Sequence, residues 1–510
     1  MTARAGGDSR PGKARYGSPT VCRHTARNRT AVSIRKLAST LCRMNILILG
    51  AGRVGESVAE NLVSEQNDIT MIDTDPRRLR LLQDRLDLRG VTGNGIHPTV
   101  LKAAGIEDAD MLIACAALDE TNLVVCKLAR ERFNVTTTIA RLRSAEFQDD
   151  QAPDLRDSFG VDAVICPEAS VTRYIHKLVE YPEALQVLEF AMGRVSLIAV
   201  RAISGGPMVG RIISELPHLV PDSAMRFVAI YRTDERGSDR QILCDGATRI
   251  EPGDEVFVLA ATTDIRRVLD TLRRRDEPVR RVIIAGGGKV GMRLARQLAK
   301  DCHVKVIESD AQRCEYLATQ LQAETLVLNA DSTDEELLEN ENVRDTELFL
   351  ALTSDDEDNI MACLLAKRLG AKRVLALINR RAYADLVQGT QIDIALSPAQ
   401  TVIGELLTHV RRGHVEAVYS LRRGDAEALE AVAHGDRKSS KVIGRRIEEV
   451  TLPAGAQIGA LVRGEGPAGQ VIFPHHDTVI ESGDHVIVFL PHKRMVRGVE
   501  RLFQVGATFL

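Results

Sequence analysis

Short aliphatic runs alternate with amphipathic stretches from residue 45 onward. Asn45–Leu49 is an apolar run that predicts a strand and stops at a glycine-rich turn. Glu56–Ser64 follows with Val58, Leu62 and Val63 on one face and predicts a helix. Ile69–Ile72 predicts a second strand, closed by Asp73. Pro76 opens a helix predicted to run through Leu86, because proline suits a first helical position. Met111–Ala117 and Thr137–Ala140 predict a fourth and a fifth strand. Alternating strand and helix imply right-handed crossovers and a parallel, doubly wound sheet.

The pattern then changes. Ser196–Arg201, Phe227–Tyr231 and Glu255–Ala260 predict short strands parted by turns such as Pro252-Gly253-Asp254, and Gly210–Leu216 predicts a short helix. These make a small α+β lobe. Between the two parts, Val171–Tyr181 carries Val171, Ile175, Leu178 and Val179 and predicts a linking helix.

The whole arrangement is written twice. Gly50-Ala51-Gly52-Arg53-Val54-Gly55 recurs as Gly286-Gly287-Gly288-Lys289-Val290-Gly291, 236 residues on. Asp73-Thr74-Asp75 recurs as Glu308-Ser309-Asp310 at offset 235, and Asp119-Glu120-Thr121-Asn122 as Asp356-Glu357-Asp358-Asn359 at offset 237. Cys166-Pro167 returns as Ser397-Pro398, Gly210–Leu216 as Gly444–Val450, and Gly253-Asp254 as Gly483-Asp484. Landmarks in constant order at a near-constant offset are a tandem duplication. The second copy repeats the strands from Val282–Ala285 to Val374–Ile378 and the linking helix at Thr401–Arg411. The expected organisation is a parallel-sheet lobe at 44–167, a linking helix at 168–184 and an α+β lobe at 185–270. It then repeats at 279–398, 399–415 and 416–502.

Composition narrows the class of function. Charged residues make up 27% and hydrophobic residues 44%, a globular balance. Aromatic residues are 4% with no Trp, which argues against stacking platforms for sugars or single-stranded nucleic acid. A formal charge of −3 lacks the basic excess of a nucleic-acid binder. The longest unbroken apolar run, Met111–Leu118, has eight residues, against about 20 for a membrane span. Nine cysteines without a CxxC pair fit a reducing compartment and buried thiols. His475-His476 lacks metal-ligand spacing and reads as a loop. Residues 1–43 hold ten Lys and Arg against one acid, Asp8, a net of +9 that leaves −12 for the remainder. This tail resembles a transit peptide in composition, but it has no apolar stripe. An upstream start before Met44 or a disordered extension is the simpler expectation.

The chemistry gathers at the glycine-rich turns. A lone GxGxxG is weak evidence. Here each copy follows a strand, precedes a helix and is followed by an acid about 20 residues later, a dinucleotide-binding, Rossmann-like context. Gly50 suits the tight turn, Gly52 the approach of a pyrophosphate, and Gly55 the packing of helix on sheet. The helix N-terminus offers free N–H groups to phosphate. Asp73, and Glu308 in the second copy, are placed to accept ribose hydroxyls; a carboxylate there disfavours a 2′-phosphate, hence NAD over NADP. Arg77 and Arg78 read as solvated. Arg53 and Lys289 lie inside the loops, where a cation meets phosphate oxygens. Arg141 and Arg143 follow the fifth strand at the carboxyl edge where ligands bind; Arg143 is equally readable as a surface residue. An inherited fold that has lost its ligand is the alternative, more so for the second copy. No Ser/His/Asp or Cys/His arrangement is recognisable, and two nucleotide sites without chemistry suggest a sensor. An NAD-dependent oxidoreductase is the rival class. A transcriptional redox sensor is a third, for which a helix-turn-helix is lacking.

The wording of these motifs carries a resemblance. MNILILGAGRVGESVAENLVSEQNDITMIDTD, VTGNG, DETN and IARLRS in the first half are joined by GGGKVG, LTSDDEDNIMACLLAKRLGAK, RRAYADLVQG and LRRGDAEALEAVAHGD in the second. From Met44 to Leu510 the chain resembles the TrkA family of tandem RCK (KTN) potassium-uptake proteins. The resemblance implies two RCK units, each a Rossmann-like doubly wound lobe followed by a small α+β lobe. It implies a cytosolic regulatory subunit without enzymatic activity, peripheral on the cytoplasmic face of the inner membrane beneath a Trk-type potassium channel or transporter. It also implies NAD(H), and often ATP or ADP, as ligands. By position the first site is then Gly50–Val54, Asp73, Ala116, Ala117 and Arg141, and the second Gly286–Val290 and Glu308. It further implies a homotetrameric ring. The candidate surface is Asn122–Ala129 and Asn359–Lys367, where Ile360, Met361, Leu364 and Leu365 form one broad apolar face; the other reading is that this face covers its own sheet. The resemblance supports Met44 as the original first residue.

Overall fold

The computed structural model describes residues 44–63, 67–144, 147, 154–221, 225–234, 239–242, 244–273, 278–387, 391–411, 414–421, 426–464 and 469–504. The basic segment 1–43 and Ser64, the expected end of the first helix, lie outside them.

The aliphatic runs of the first unit become β1 (Asn45–Leu49), β2 (Asp68–Asp73), β3 (Arg89–Thr92), β4 (Met111–Ala114), β5 (Thr137–Arg141) and β6 (Ala163–Ile165). They form a six-stranded parallel sheet in the order β3-β2-β1-β4-β5-β6. Ile48 pairs with Met71 on one side and Ile113 on the other, and all of β4 is buried, as a strand covered on both faces requires. The edge strands β3 and β6 do not follow from periodicity; Arg89-Gly90-Val91-Thr92 has no apolar run to reveal it.

Several predicted elements differ in extent. The first helix begins at Arg53, because the Gly52 carbonyl already accepts the Glu56 N–H at 2.8 Å, and its described residues run to Val63. The second spans Pro76–Gln83, held at its start by the Asp75 carboxylate, which accepts the Arg77 N–H. The fourth strand stops at Ala114, where Asn122 takes over the backbone of Ala116.

An antiparallel five-stranded sheet follows: β7 (Ala184–Phe190), β8 (Val195–Arg201), β9 (Met225–Thr233), β10 (Asp239–Ile242) and β11 (Glu255–Ala261), in the order β10-β9-β11-β8-β7. The helix expected over Gly210–Leu216 is not formed. Gly210 takes φ +88°, Ile212 bridges Arg249, and a 3₁₀ turn at Ile213–Glu215 leads into a short helix, Leu216–Leu219. The second unit repeats the plan. β12 (Arg281–Ala285), β13 (His303–Glu308), β14 (Leu326–Asn329), β15 (Leu348–Ala351), β16 (Arg373–Leu377) and β17 (Ile394–Leu396) form a parallel sheet ordered β14-β13-β12-β15-β16-β17. Its antiparallel partner is β18 (Val415–Leu421), β19 (Ala426–Val432), β20 (Gln457–Arg463), β21 (Gln470–Ile472) and β22 (His485–Leu490), ordered β18-β19-β22-β20-β21.

The two units are interlocked through their linking helices, Pro167–Glu180 and Pro398–Val410, each opened by a proline. Val171, Ile175 and Leu178 of the first share a core with Ile284, Leu294 and Leu350 of the second parallel sheet. Val402, Ile403, Leu406 and Leu407 of the second share a core with Ile48, Val58 and Ile113 of the first. Each helix therefore covers the other unit's sheet. The helices meet where the Ser170 hydroxyl donates to Glu405 Oε1 at 2.8 Å. The antiparallel sheets also share a core, with Phe190, Phe257 and Leu259 on one side and Ala428, Ala460 and Phe489 on the other. A Cβ on Gly459 would lie 2.1 Å from Leu259 Cδ1, so only glycine lets this seam close.

Candidate functional site

In an open parallel sheet, ligands bind where the strand order reverses, at the carboxyl ends of the strands. That point lies between β1 and β4 in the first unit and between β12 and β15 in the second. Both glycine turns sit there. Gly50 adopts φ +99°, and a Cβ on it would meet the Cys115 carbonyl oxygen at 2.8 Å. A Cβ on Gly55 would lie 1.9 Å from the Gly50 carbonyl oxygen, which is how the first helix packs down on the turn. Gly286 and Gly291 repeat both constraints. Gly52 and Gly288, by contrast, face open space.

Asp73 ends β2 with its carboxylate accepting the Ala51 N–H at 2.6 Å and the Asp75 N–H at 2.8 Å. Each oxygen keeps a lone pair for a hydroxyl. In the second copy Glu308 accepts the Gly287 N–H at 2.8 Å and the Asp310 N–H at 3.0 Å. The extra methylene of Glu308 is matched by the missing Cβ of Gly287. An alanine there, as at Ala51, would approach Leu317 Cδ1 to 2.3 Å and Glu308 Oε2 to 3.1 Å.

A cavity of about 600 Å³ joins the two copies. Of the residues predicted for the first site, Gly50, Gly52, Arg53, Val54, Asp73, Ala116, Ala117, Arg141 and Arg143 line it. From the second, Gly288, Lys289 and Val290 line it. Ala51, Gly55, Gly286, Gly287, Gly291 and Glu308 are not part of its wall. Arg53 and Lys289 thus face one shared space from opposite lobes. Arg141 Nη2 stands 3.2 Å from Glu168 Oε1, and Arg143 Nε 3.6 Å from the same atom. Among the described residues, the buried Nε atoms of both arginines have no hydrogen-bond partner. With Arg53 and Lys289 they bring four cations to a wall that also carries the Asp73 and Glu168 carboxylates. A ligand with anionic phosphates and a sugar diol matches that set of groups. Burial pushes the Cys115 thiol up to about 12 against the pull of Arg141, so it is a neutral wall residue.

Several residues that shape the crevice do not stand out by residue type in the sequence. The Asn122 side chain, fully buried, accepts the Ala116 N–H at 2.8 Å and donates to the carbonyls of Ala116 and Arg141. Asp119 accepts the Arg143 and Ser144 N–H groups, both at 2.9 Å. Asn359 and Asp356 do the same with Thr353, Leu377, Asn379 and Arg380. The repeated Asp…Asn motif is therefore a brace across the carboxyl ends of two strands, and its recurrence at a fixed offset was the signal. Gly93, Asn94, Gly95 and Glu168 also line the cavity. Gly93 is placed by its N–H bond to the Asp73 carbonyl at 2.9 Å, a pairing that periodicity does not reveal.

Elsewhere, His475 and His476 lie exposed at a turn. Among the described residues no group of three His, Cys, Asp or Glu is arranged to hold a metal, and no helix is long and apolar enough to cross a membrane. In the helix Asp356–Arg368 the residues buried on the sheet are Asn359, Ala362, Cys363 and Ala366. Met361 is 57% exposed, and Ile360, Leu364 and Leu365 are half-buried at the margin. Three of the four residues of the predicted apolar face thus pack in part against their own lobe's core, and Met361 stands out from it.

Comparison with known proteins agrees with this architecture. The TrkA-N domain model matches residues 46–167 and 282–398, and the TrkA-C domain model matches 197–273 and 437–503. The Trk system potassium uptake protein TrkA of Halomonas elongata is 52% identical over 91% of this chain and its own full length. That of Vibrio alginolyticus is 50% identical over 92% of this chain, again at full length. Among solved structures, the GsuK RCK domain superposes with a TM-score of 0.56 at 16% identity, covering 90% of this chain and 95% of that one. A GsuK channel described as bound to NAD gives a TM-score of 0.56 at 17% identity, over 90% and 79%. With both halves of the duplication matched and the relatives covered end to end, the chain belongs to the TrkA family of Trk-system potassium-uptake proteins.

Proposed function

We propose that this chain is the nucleotide-sensing, non-enzymatic regulatory subunit of a Trk-type potassium-uptake system. It binds NAD(H), and ATP or ADP, in the crevice between its two parallel-sheet lobes. The observation that carries this reading is the shared cavity, which glycine-rich loops from both lobes line. The diol-binding acid is Asp73, and the cations are Arg53, Arg141, Arg143 and Lys289. A ligand held by both walls favours the arrangement in which they stand close, and a ligand shifts an equilibrium only by its differential affinity for the two states. The interlocked linking helices supply a route: moving one sheet drags the helix that belongs to the other unit. The output is the conformation of a potassium channel or transporter docked at the cytoplasmic face of the inner membrane. The relatives' role in Trk potassium uptake and a same-fold channel described as bound to NAD support this.

Exposed Met361, with Ile360, Leu364 and Leu365 only half covered by their own lobe's core, leaves apolar surface for assembly with further copies, with a homotetrameric ring as the proposed state. Calorimetric titration of the full chain with NAD, NADH, ATP and ADP tests the central claim. Saturable binding of at least one, weakened by Asp73→Ala by about 1–3 kcal/mol, is expected. Absence of binding by all four overturns it.

A further inference from the structure

The two glycine loops are copies in sequence but not in state. In the first lobe the cavity wall continues from Arg53 past Asp73, Thr74 and Arg78 to Asn94. An adenosine whose ribose is held by Asp73 would lie along this stretch. Arg78 there is exposed, 3.9 Å from Asp75. In the second lobe the same cavity reaches Gly288, Lys289 and Val290 but takes in none of Glu308, Arg313 or Asn329.

Arg313 stands five residues after Glu308, as Arg78 stands five after Asp73. Its Nε donates to the Gly287 carbonyl at 2.8 Å, and its guanidinium lies over the Tyr316 ring, 4.8 Å from the centroid. The residue matching Tyr316 in the first copy is Leu81, 64% exposed, which offers a guanidinium no aromatic face. Asn329 Nδ2 adds bonds to the Glu308 and Ser309 carbonyls, both at 3.0 Å, where the first copy has Thr92. Both lobes tie the glycine loop and the two strand ends through the Asp73 or Glu308 carboxylate and carbonyl; the Arg313 and Asn329 side chains add a second set of bonds across the second lobe alone.

We infer that Arg313 is a specificity-determining latch that keeps adenine nucleotides out of the second lobe, so that the chain takes one adenine nucleotide, in the first lobe. The inference rests on the nucleotide reading above. Entry of adenosine into the second cleft requires breaking a charge-assisted hydrogen bond and a cation–π stack. The apparent affinity falls by the fraction of time the latch is undocked.

Equilibrium dialysis of the full chain against radiolabelled ATP, and separately NAD, reads the number of sites. One site is expected for the natural chain and two for Arg313→Ala. Asp73→Ala should weaken the single site about five- to 150-fold, and Asp73→Ala/Arg313→Ala should restore one site. Tyr316→Ala removes only the stack from a half-exposed ring and should move the count in the same direction as Arg313→Ala, deciding the matter if Arg313→Ala does not fold. Two sites in the natural chain, or one in a folded Arg313→Ala chain, overturns the latch alone. No binding to the natural chain overturns the nucleotide reading and the latch together.

Discussion

The exchange of linking helices makes an unusual demand: a substitution in the first unit must weaken the second. Ile175, in the first linking helix, is fully buried in the core it shares with Ile284 and Leu350 of the second sheet. Ile175→Ala removes three carbons, about 2.4 kcal/mol at about 0.8 kcal/mol each. The cavity left behind raises the loss to roughly 3–4 kcal/mol. The better helix propensity of alanine returns about 0.4 kcal/mol, for a net of about 3 kcal/mol. That is roughly a hundredfold rise in local opening. Hydrogen exchange read by mass spectrometry should show it at Val282–Ala285 and Leu348–Ala351, with Asn45–Leu49 and Met111–Ala114 little changed. Leu406→Ala in the second linking helix should reverse the pattern, since Leu406 is buried with Ile48 and Ile113. Deprotection confined to the unit that carries the substitution would refute the exchange.

Asn122→Ala leaves the Ala116 N–H and the Ala116 and Arg141 carbonyls without their partner; denaturant melts should show a loss of about 2–4 kcal/mol, and titration a weaker nucleotide. Burial pushes the Glu347 carboxyl up, but hydrogen bonds from the Arg281 side chain and backbone outweigh it and hold the group at about 2. Its stabilisation is then present above the unfolded-state value near 4.5 and fades as pH falls toward 2. Urea melts of Glu347→Gln against the natural chain should differ less at about pH 3.5 than at neutrality; an unchanged gap contradicts the assignment. Leu364→Asp places a charge on the half-buried margin of its helix; light scattering with circular dichroism should show loss of mass with folding retained, and loss of both would show that the face serves only its own lobe.

Much of the candidate site is written in local sequence. Gly50 and Gly55 are required by a carbonyl that would meet any Cβ, and such a constraint leaves its mark in a six-residue motif. Asp73 is legible because it stands at the end of an aliphatic run of known length. Arg141, expected just after the fifth strand, is its last residue and lines the crevice, and Arg143 lines it too. The brace at Asn122 and Asn359 is visible only as a repeat, because an asparagine in a helix has no distinctive signature of its own. β3 escapes notice because Arg89 and Gly90 interrupt any alternation, although it carries the loop with Asn94. The Gly210–Leu216 stretch misleads because a short polar-apolar run is compatible with both a helix and a bridged turn; pairing of Ile212 with Arg249 decides it.

The sequence by itself determined the duplication, the class of each lobe and the place of each glycine turn and its following acid, because these depend on spacing and residue type within a few dozen residues. It determined that Val171, Ile175 and Leu178 need an apolar surface, but not whose. Apolar burial is non-directional, and the two duplicated sheets present nearly the same aliphatic face to any helix that approaches. Only the tertiary structure decides that each linking helix crosses to the other unit, and only that crossing brings Arg53 and Lys289 to one cavity. The same holds for the docking of Arg313 on Gly287 while Arg78 stays exposed: the two arginines occupy equal places in the repeat, and the aromatic ring and the carbonyl within reach set them apart.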